Sequence, residues 1–285
     1  MKKLQVTACI DGSAISSSVC DTAAWASAIL DAPLAFLHVL EKTLSPSKED
    51  LSGAIGLGSR EHLLDELTLL DEKRNKMAIE HGKHLLDDAI QRATSGGAVE
   101  VTGEQRHDRL LDALLACEDN TRLYVIGRLG EDHDPNKQVI GSHIENVVRA
   151  IHTPIMMATG TFTTPSNYML AYDGSETSDK AIDRIASSPL LAKLSGHVVM
   201  VGKENQENRT RLEAACKTLT DKEHQVEAHL VQGEVNASLM DFQERYNIEL
   251  KVMGAYGHSR IRDFIVGSNT TKMLATSTVP VLILR

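Results

Sequence analysis

Gly254-Ala255-Tyr256-Gly257 is followed by nine residues and then by Gly267-Ser268. The apolar run Leu250 to Met253 precedes this stretch, and a segment with helical spacing follows it. A strand, a glycine loop and a helix N-terminus in that order suit phosphate. Glycines let the backbone approach the anion, amide N–H groups point at it, and the helix dipole favours negative charge. The pattern occurs twice. Gly127-Arg128-Leu129-Gly130 follows the apolar run Leu123 to Ile126 and leads, ten residues later, to Gly141-Ser142.

The rest of the chain repeats around these loops. Asp11-Gly12-Ser13 after the run from Val6 matches Asp173-Gly174-Ser175 after the run from Met169. Leu34 to Val39 matches Gly196 to Val201 at the same offset of about 162 residues. At the back the offset falls to about 127, so the first copy carries an insertion, assigned to residues 41–76. The closing runs are Thr153 to Met157 and Val279 to Ile283. The polar, Pro-containing stretch 160–165 separates a first unit, residues 1–160, from a second, residues 161–285.

Apolar runs alternate with helical patterns at 19–30, 71–93, 110–117, 178–186 and 209–219, and strands are also expected at 99–101 and 226–231. Ile144, Val147, Val148 and Ile151 form one apolar helical stripe. Alternating β and α elements predict an α/β chain of two tandem doubly wound units, each a parallel sheet of about five strands. Ligands in such sheets bind beyond the carboxyl ends of the strands, where Asp11, Asp173 and both glycine loops fall.

A net charge of −9 and a pI near 5.7 supply no basic field for nucleic acid or anionic lipid. No apolar run reaches the ~20 residues that span a bilayer, and the N-terminus does not read as a signal peptide. Cys9, Cys20, Cys117 and Cys216 show no CxxC spacing, which fits reduced thiols in a cytoplasmic protein.

The paired Gly-x2-Gly-x9-Gly-Ser loops, the Asp-Gly-Ser after each first strand and the closing Val279-Pro280-Val281-Leu282 resemble a tandem universal stress protein over essentially the whole chain. The resemblance implies an adenine nucleotide alpha hydrolase-like fold with strand order 3-2-1-4-5 per unit. It also implies antiparallel pairing of last strands, which the two units can satisfy within one chain, with a homodimer as a further option. Some members bind ATP or AMP; others have lost that capacity.

Carried over residue by residue, the second-unit site is Asp173, the strand-end backbone of Met200 and Val201, Gly254, Gly257, Gly267, Ser268 and Asn269, with Arg260, and more weakly Arg262, adding positive charge. The first-unit positions are Asp11, Val39, Leu40, Gly127, Gly130, Gly141 and Ser142. There the loop is one residue longer and holds Glu131, Asp132 and Asp134, which repel a triphosphate unless a cation such as Mg2+ intervenes; Arg128 partly offsets them. The second unit is therefore the better expected site.

No Gly-x-Ser-x-Gly elbow, HExxH or P-loop is present, so no catalytic residue is assigned, and any ATP hydrolysis is expected to be slow. His81 and His84 have a spacing that one helix face uses for metals, but a solvated surface is the expected reading and no metal site is assigned. His38 and His197 are expected to be packed or to face the cleft edge. The insertion holds a glycine-rich entry, Gly53 to Gly58, and then a helix-like stretch from Glu61 to Ala93, and it reads as a lid over the first site or as a surface excursion. Two function classes remain: a nucleotide-binding stress or signalling protein, and a nucleotide-free scaffold for a protein partner or another small ligand.

Overall fold

The computed structural model describes residues 3–41, 57–128, 142–254 and 268–285, with backbone alone for 57–65, 142–143 and 268–271. The first half runs β1 (Gln5–Ile10), α1 (Ser16–Leu30), β2 (Leu34–Val39), α2 (Leu57–Ser95), β3 (Val101–Arg106), α3 (Leu110–Cys117), β4 (Thr121–Gly127), α4 (Ser142–Ala150), β5 (Ile155–Ala158). The second half repeats it: β6 (Asn167–Ala171), α5 (Glu176–Ala186), β7 (Ser195–Val201), α6 (Gln206–Thr220), β8 (Val226–Val231), α7 (Val235–Arg245), β9 (Lys251–Gly254), α8 (Ser268–Thr276), β10 (Val281–Leu284).

All ten strands share one sheet in the order β3-β2-β1-β4-β5-β10-β9-β6-β7-β8. Each half is thus a parallel 3-2-1-4-5 unit. The units join where β10 meets β5 antiparallel, with Val281 opposite Met157 and Ile283 opposite Ile155. Burial on both faces explains why these strands read as continuous apolar runs. Along β4, Leu123 and Val125 enter the core shared with α1, α2, α5 and α6. Tyr124 and Ile126 enter the opposite core, with α3, α4, α7 and α8. Both cores run across the β5–β10 seam.

Three elements differ from the sequence expectation. The strand placed at 99–101 is β3, Val101–Arg106; Val99 is exposed and Glu100 takes a positive φ of 56° that breaks the strand before it starts. Helix α7 was not anticipated, although Val235, Leu239 and Phe242 mark its buried stripe. Helix α2 begins at Leu57, ahead of both the pattern at 71–93 and the helix-like stretch read from Glu61, and its 39 residues make it about 58 Å long.

The added length of α2 lies at its N-terminal end. Leu85 of α2 lies over Gly12, as Arg211 of α6 lies over Gly174. The part of α2 that precedes this common point is longer than its α6 counterpart by roughly 35 Å. Because α2 runs antiparallel to β2, this part extends past the carboxyl edge of the sheet. Residues 66–77 are exposed all round, including Leu67, Leu69, Leu70 and Met77. Residues 42–56 of the expected insertion lie outside the described residues.

Candidate functional site

Each unit ends its first strand in the same local device. Asp11 Oδ1 accepts the Ser13 backbone N–H at 3.0 Å, and Asp173 Oδ1 accepts that of Ser175 at 3.0 Å. The intervening Gly12 and Gly174 have φ of +81° and +72°, a left-handed turn that glycine enters at little cost. Asp-Gly-Ser thus closes an Asx turn that swings the chain from strand into helix at the carboxyl edge of the sheet.

The turns then diverge. Ser175 caps α5, its Oγ accepting the Ser178 N–H at 3.2 Å. In the first unit Ser13 Oγ is buried without a partner among the described residues, and Asp11 Oδ1 takes a second bond from Ser16 Oγ at 3.1 Å.

Strand-end backbone sits beside both turns. Tyr172 N–H donates to Val199 O and Gly202 N–H to Val231 O, so alternate residues of β7 bond to opposite neighbours. The Val201 peptide groups therefore face the β6 side, past Ala171 where β6 ends. In the first unit Leu40 N–H donates to Arg106 O as Gly202 does to Val231 O, both at 2.8 Å. Val39 corresponds to Val201 and Leu40 to Gly202, so the expected pairs Val39–Leu40 and Met200–Val201 are one residue out of step. Met200 is buried, with its Cε beneath Gly174.

Gly254 closes β9 against the first turn of α5, where a Cβ would lie 3.1 Å from Thr177 O. Gly127 closes β4 at the matching place. Gly130, Gly141, Gly257, Arg260, Arg262 and Gly267 lie outside the described residues. Ser142 opens α4, and Ser268 and Asn269 open α8.

The charges around the two clefts differ from the expectation. Arg128 Nη1 donates to Ala275 O at the C-terminal end of α8, across the seam, and burial holds its guanidinium below its ordinary pKa. Arg211, not anticipated from the sequence, lays its Cδ and Nη1 against Gly174 while Nη2 bonds Glu207 at 2.7 Å. It stands five residues into α6, and only the strand–helix packing reveals what it covers. The first unit has Leu85 and His81 there instead. Next to them His38 is buried and held below the usual imidazole pKa by burial and by His81, with Asp11 acting in the opposite sense.

A separate cavity of about 600 Å³ opens at the seam. Arg122, His152 and Arg184 line it together with Leu190, Leu191 and Leu284. Among the described residues, no helix is long and apolar enough to cross a membrane.

Known proteins share this architecture. Residues 4–159 and 198–285 match the universal stress protein family. Universal stress protein Slr1230 of Synechocystis sp. (strain ATCC 27184 / PCC 6803 / Kazusa) is 32% identical over 281 residues, 97% of this chain and 98% of the relative. A universal stress protein from Archaeoglobus fulgidus DSM 4304 superposes with a TM-score of 0.70 at 17% identity, covering 98% of each chain. The functionally unknown protein PA1789 of Pseudomonas aeruginosa PAO1 does so with a TM-score of 0.60 at 16% identity, over 99% of this chain and 92% of its own. These two likenesses speak for the fold. The family match and the full-length relative speak for descent, and with the doubled 3-2-1-4-5 sheet they place this chain in the universal stress protein family.

Proposed function

We propose that the protein binds an adenine nucleotide, ATP or AMP, and acts in stress response or signalling, with the second of two tandem units (1–160 and 161–285) as the better site. The observation that carries this reading is the repeated Asp-Gly-Ser turn beside a glycine-ended strand at the carboxyl edge of each unit. It supports a cleft in which Val201 offers backbone to a base, Asp173 lies near the ribose, and the loop from Gly254 to Ser268 receives phosphate. Arg211 beside Gly174 adds a cation that the first unit lacks at Leu85. Mg2+ would be required first where Glu131, Asp132 and Asp134 accompany the loop. No residue is assigned to catalysis, and the proposed setting is the cytoplasm.

Calorimetry of the full chain with ATP and with AMP, with and without Mg2+, tests this. Saturable heat that Gly257→Val diminishes is expected; no heat at millimolar nucleotide rejects the reading.

The seam cavity favours a second reading, a nucleotide-free scaffold that takes another small ligand. Its arginines, the carboxylates of Glu118 and Asp119 and its apolar walls suit a small organic zwitterion. A thermal shift with such compounds, lost in Arg122→Ala/Arg184→Ala and unaltered by Gly257→Val, would favour it.

A further inference from the structure

We infer that His197, Glu227 and His229 form a binding site for a zinc-like divalent cation on the β7–β8 edge of the sheet. Strand register brings them together. His197 of β7 lies opposite Glu227 of β8, and Val199 opposite His229. Glu227 and His229 are two apart on one strand and so share a face, with His197 opposite the first and diagonal to the second. Some thirty residues separate His197 from the other two, which is why no sequence motif marks the group.

The three ligand atoms converge on one point. His197 Nδ1 and His229 Nε2 are 3.1 Å apart, and Glu227 Oε2 is 3.8 Å from the first and 3.5 Å from the second. A tetrahedral ion with bonds of about 2.0–2.2 Å requires ligand–ligand edges of about 3.3–3.5 Å. The observed edges bracket that range, so a few tenths of an ångström complete the geometry. A hydrogen bond between the imidazoles uses a single proton and leaves the carboxylate 3.5 Å from one ring and 3.8 Å from the other, both long for hydrogen bonds. A cation satisfies all three lone pairs together.

The surroundings suit a metal. Both imidazoles are largely buried, and Glu227 is mostly exposed, which leaves a side open for a fourth ligand from solvent. Phe242 of α7 and Tyr246 just beyond it stack at 4.2 Å and wall in both histidines, with Phe242 edge-on to each. Such a wall fixes ring orientation before binding. Two imidazoles and one carboxylate select zinc-like transition metals over Mg2+ or Ca2+. The site is also distinct from the nucleotide cleft, since His197 sits about 13 Å along β7 from Val201.

The test is equilibrium dialysis of the chelator-treated full chain against Zn2+, with metal quantified by elemental analysis and Co2+ as a spectroscopic probe. The expected result is one equivalent of Zn2+ that His197→Ala/His229→Ala does not retain, and visible bands typical of tetrahedral Co2+ that the same variant lacks. His81→Ala/His84→Ala should bind as the parent does. Equal binding by the parent and His197→Ala/His229→Ala overturns the inference. Should that variant fail to fold, Glu227→Gln decides, because its carboxylate is exposed. It should weaken Zn2+ binding by about 100-fold, and unchanged affinity would overturn the site.

Discussion

Gly254 and Thr177 approach so closely that a Cβ at position 254 would lie 3.1 Å from the Thr177 carbonyl oxygen and 3.3 Å from its carbon. The end of β9 is thereby pressed onto the first turn of α5, which follows the Asp173 turn. Backbone cannot swing aside as a side chain can. Gly254→Ala should therefore force the strand and helix apart by a few tenths of an ångström and cost about 1–3 kcal/mol, the usual range for overpacking. Its melting temperature should fall, and so should its affinity for ATP. A variant that melts and binds as the parent does would refute the tight junction.

The two Asp-Gly-Ser turns give a matched pair of substitutions with unequal outcomes. Ser175 Oγ accepts the Ser178 N–H and so satisfies one of the orphan donors of α5. Ser175→Ala should cost about 1 kcal/mol, as lost N-caps typically do. Ser13 Oγ has no partner among the described residues, so Ser13→Ala should stay within ~0.5 kcal/mol of the parent. Thermal melts of the two variants side by side check this, and equal losses would contradict the difference in capping.

What sequence can reveal here follows the burial. Strands covered on both faces, such as β7 with Val198, Val199 and Met200, announce themselves as apolar runs, and their recurrence at a fixed offset revealed the duplication. β3 is a sheet edge, and only Val101 is apolar in Val101-Thr102-Gly103-Glu104-Gln105-Arg106, so its start was misjudged. The projecting part of α2 buries no face among its described side chains, so the stretch from Glu61 reads as helical without a buried stripe to fix where it starts. Arg211 over Gly174 and the His197–Glu227–His229 group depend on which strand or helix lies alongside. Spacing along one segment does not carry that information.

Arg128 was expected to offset the acidic loop of the first unit, and the fold gives it other work. Its Nη1 reaches Ala275 O in the last turn of α8, where a cation complements the helix dipole. Arg128→Met keeps the apolar stem and removes that bond across the seam. It should lower stability by about 1–2 kcal/mol and leave ATP affinity in calorimetry unchanged. A variant with an unaltered melt and weakened ATP binding would return Arg128 to the phosphate role.

Lys251 opens β9 with 2% of its surface exposed, and burial lowers its ammonium pKa to about 8. Unfolded, the same group titrates near 10.4. Below pH 8 both states are charged and the full penalty of burying the charge is present. Between about 8 and 10.4 the unfolded chain holds more protons, so this residue makes stability rise with pH. Cys9, Cys20 and Cys216 act in the opposite direction, because burial raises their thiols to about 12, 11 and 11. Their unfolded thiols ionise first, and stability falls as pH climbs past about 8.5. The wild-type melt therefore mixes two opposed trends, and only a difference isolates the lysine. Lys251→Met should be more stable at pH 7 by about 2–3 kcal/mol. That advantage should shrink as pH rises from 8 to 10.4, read as converging melting temperatures. A constant gap across that range would mean that the Lys251 ammonium stays charged inside the sheet, held by a partner strong enough to cancel its desolvation.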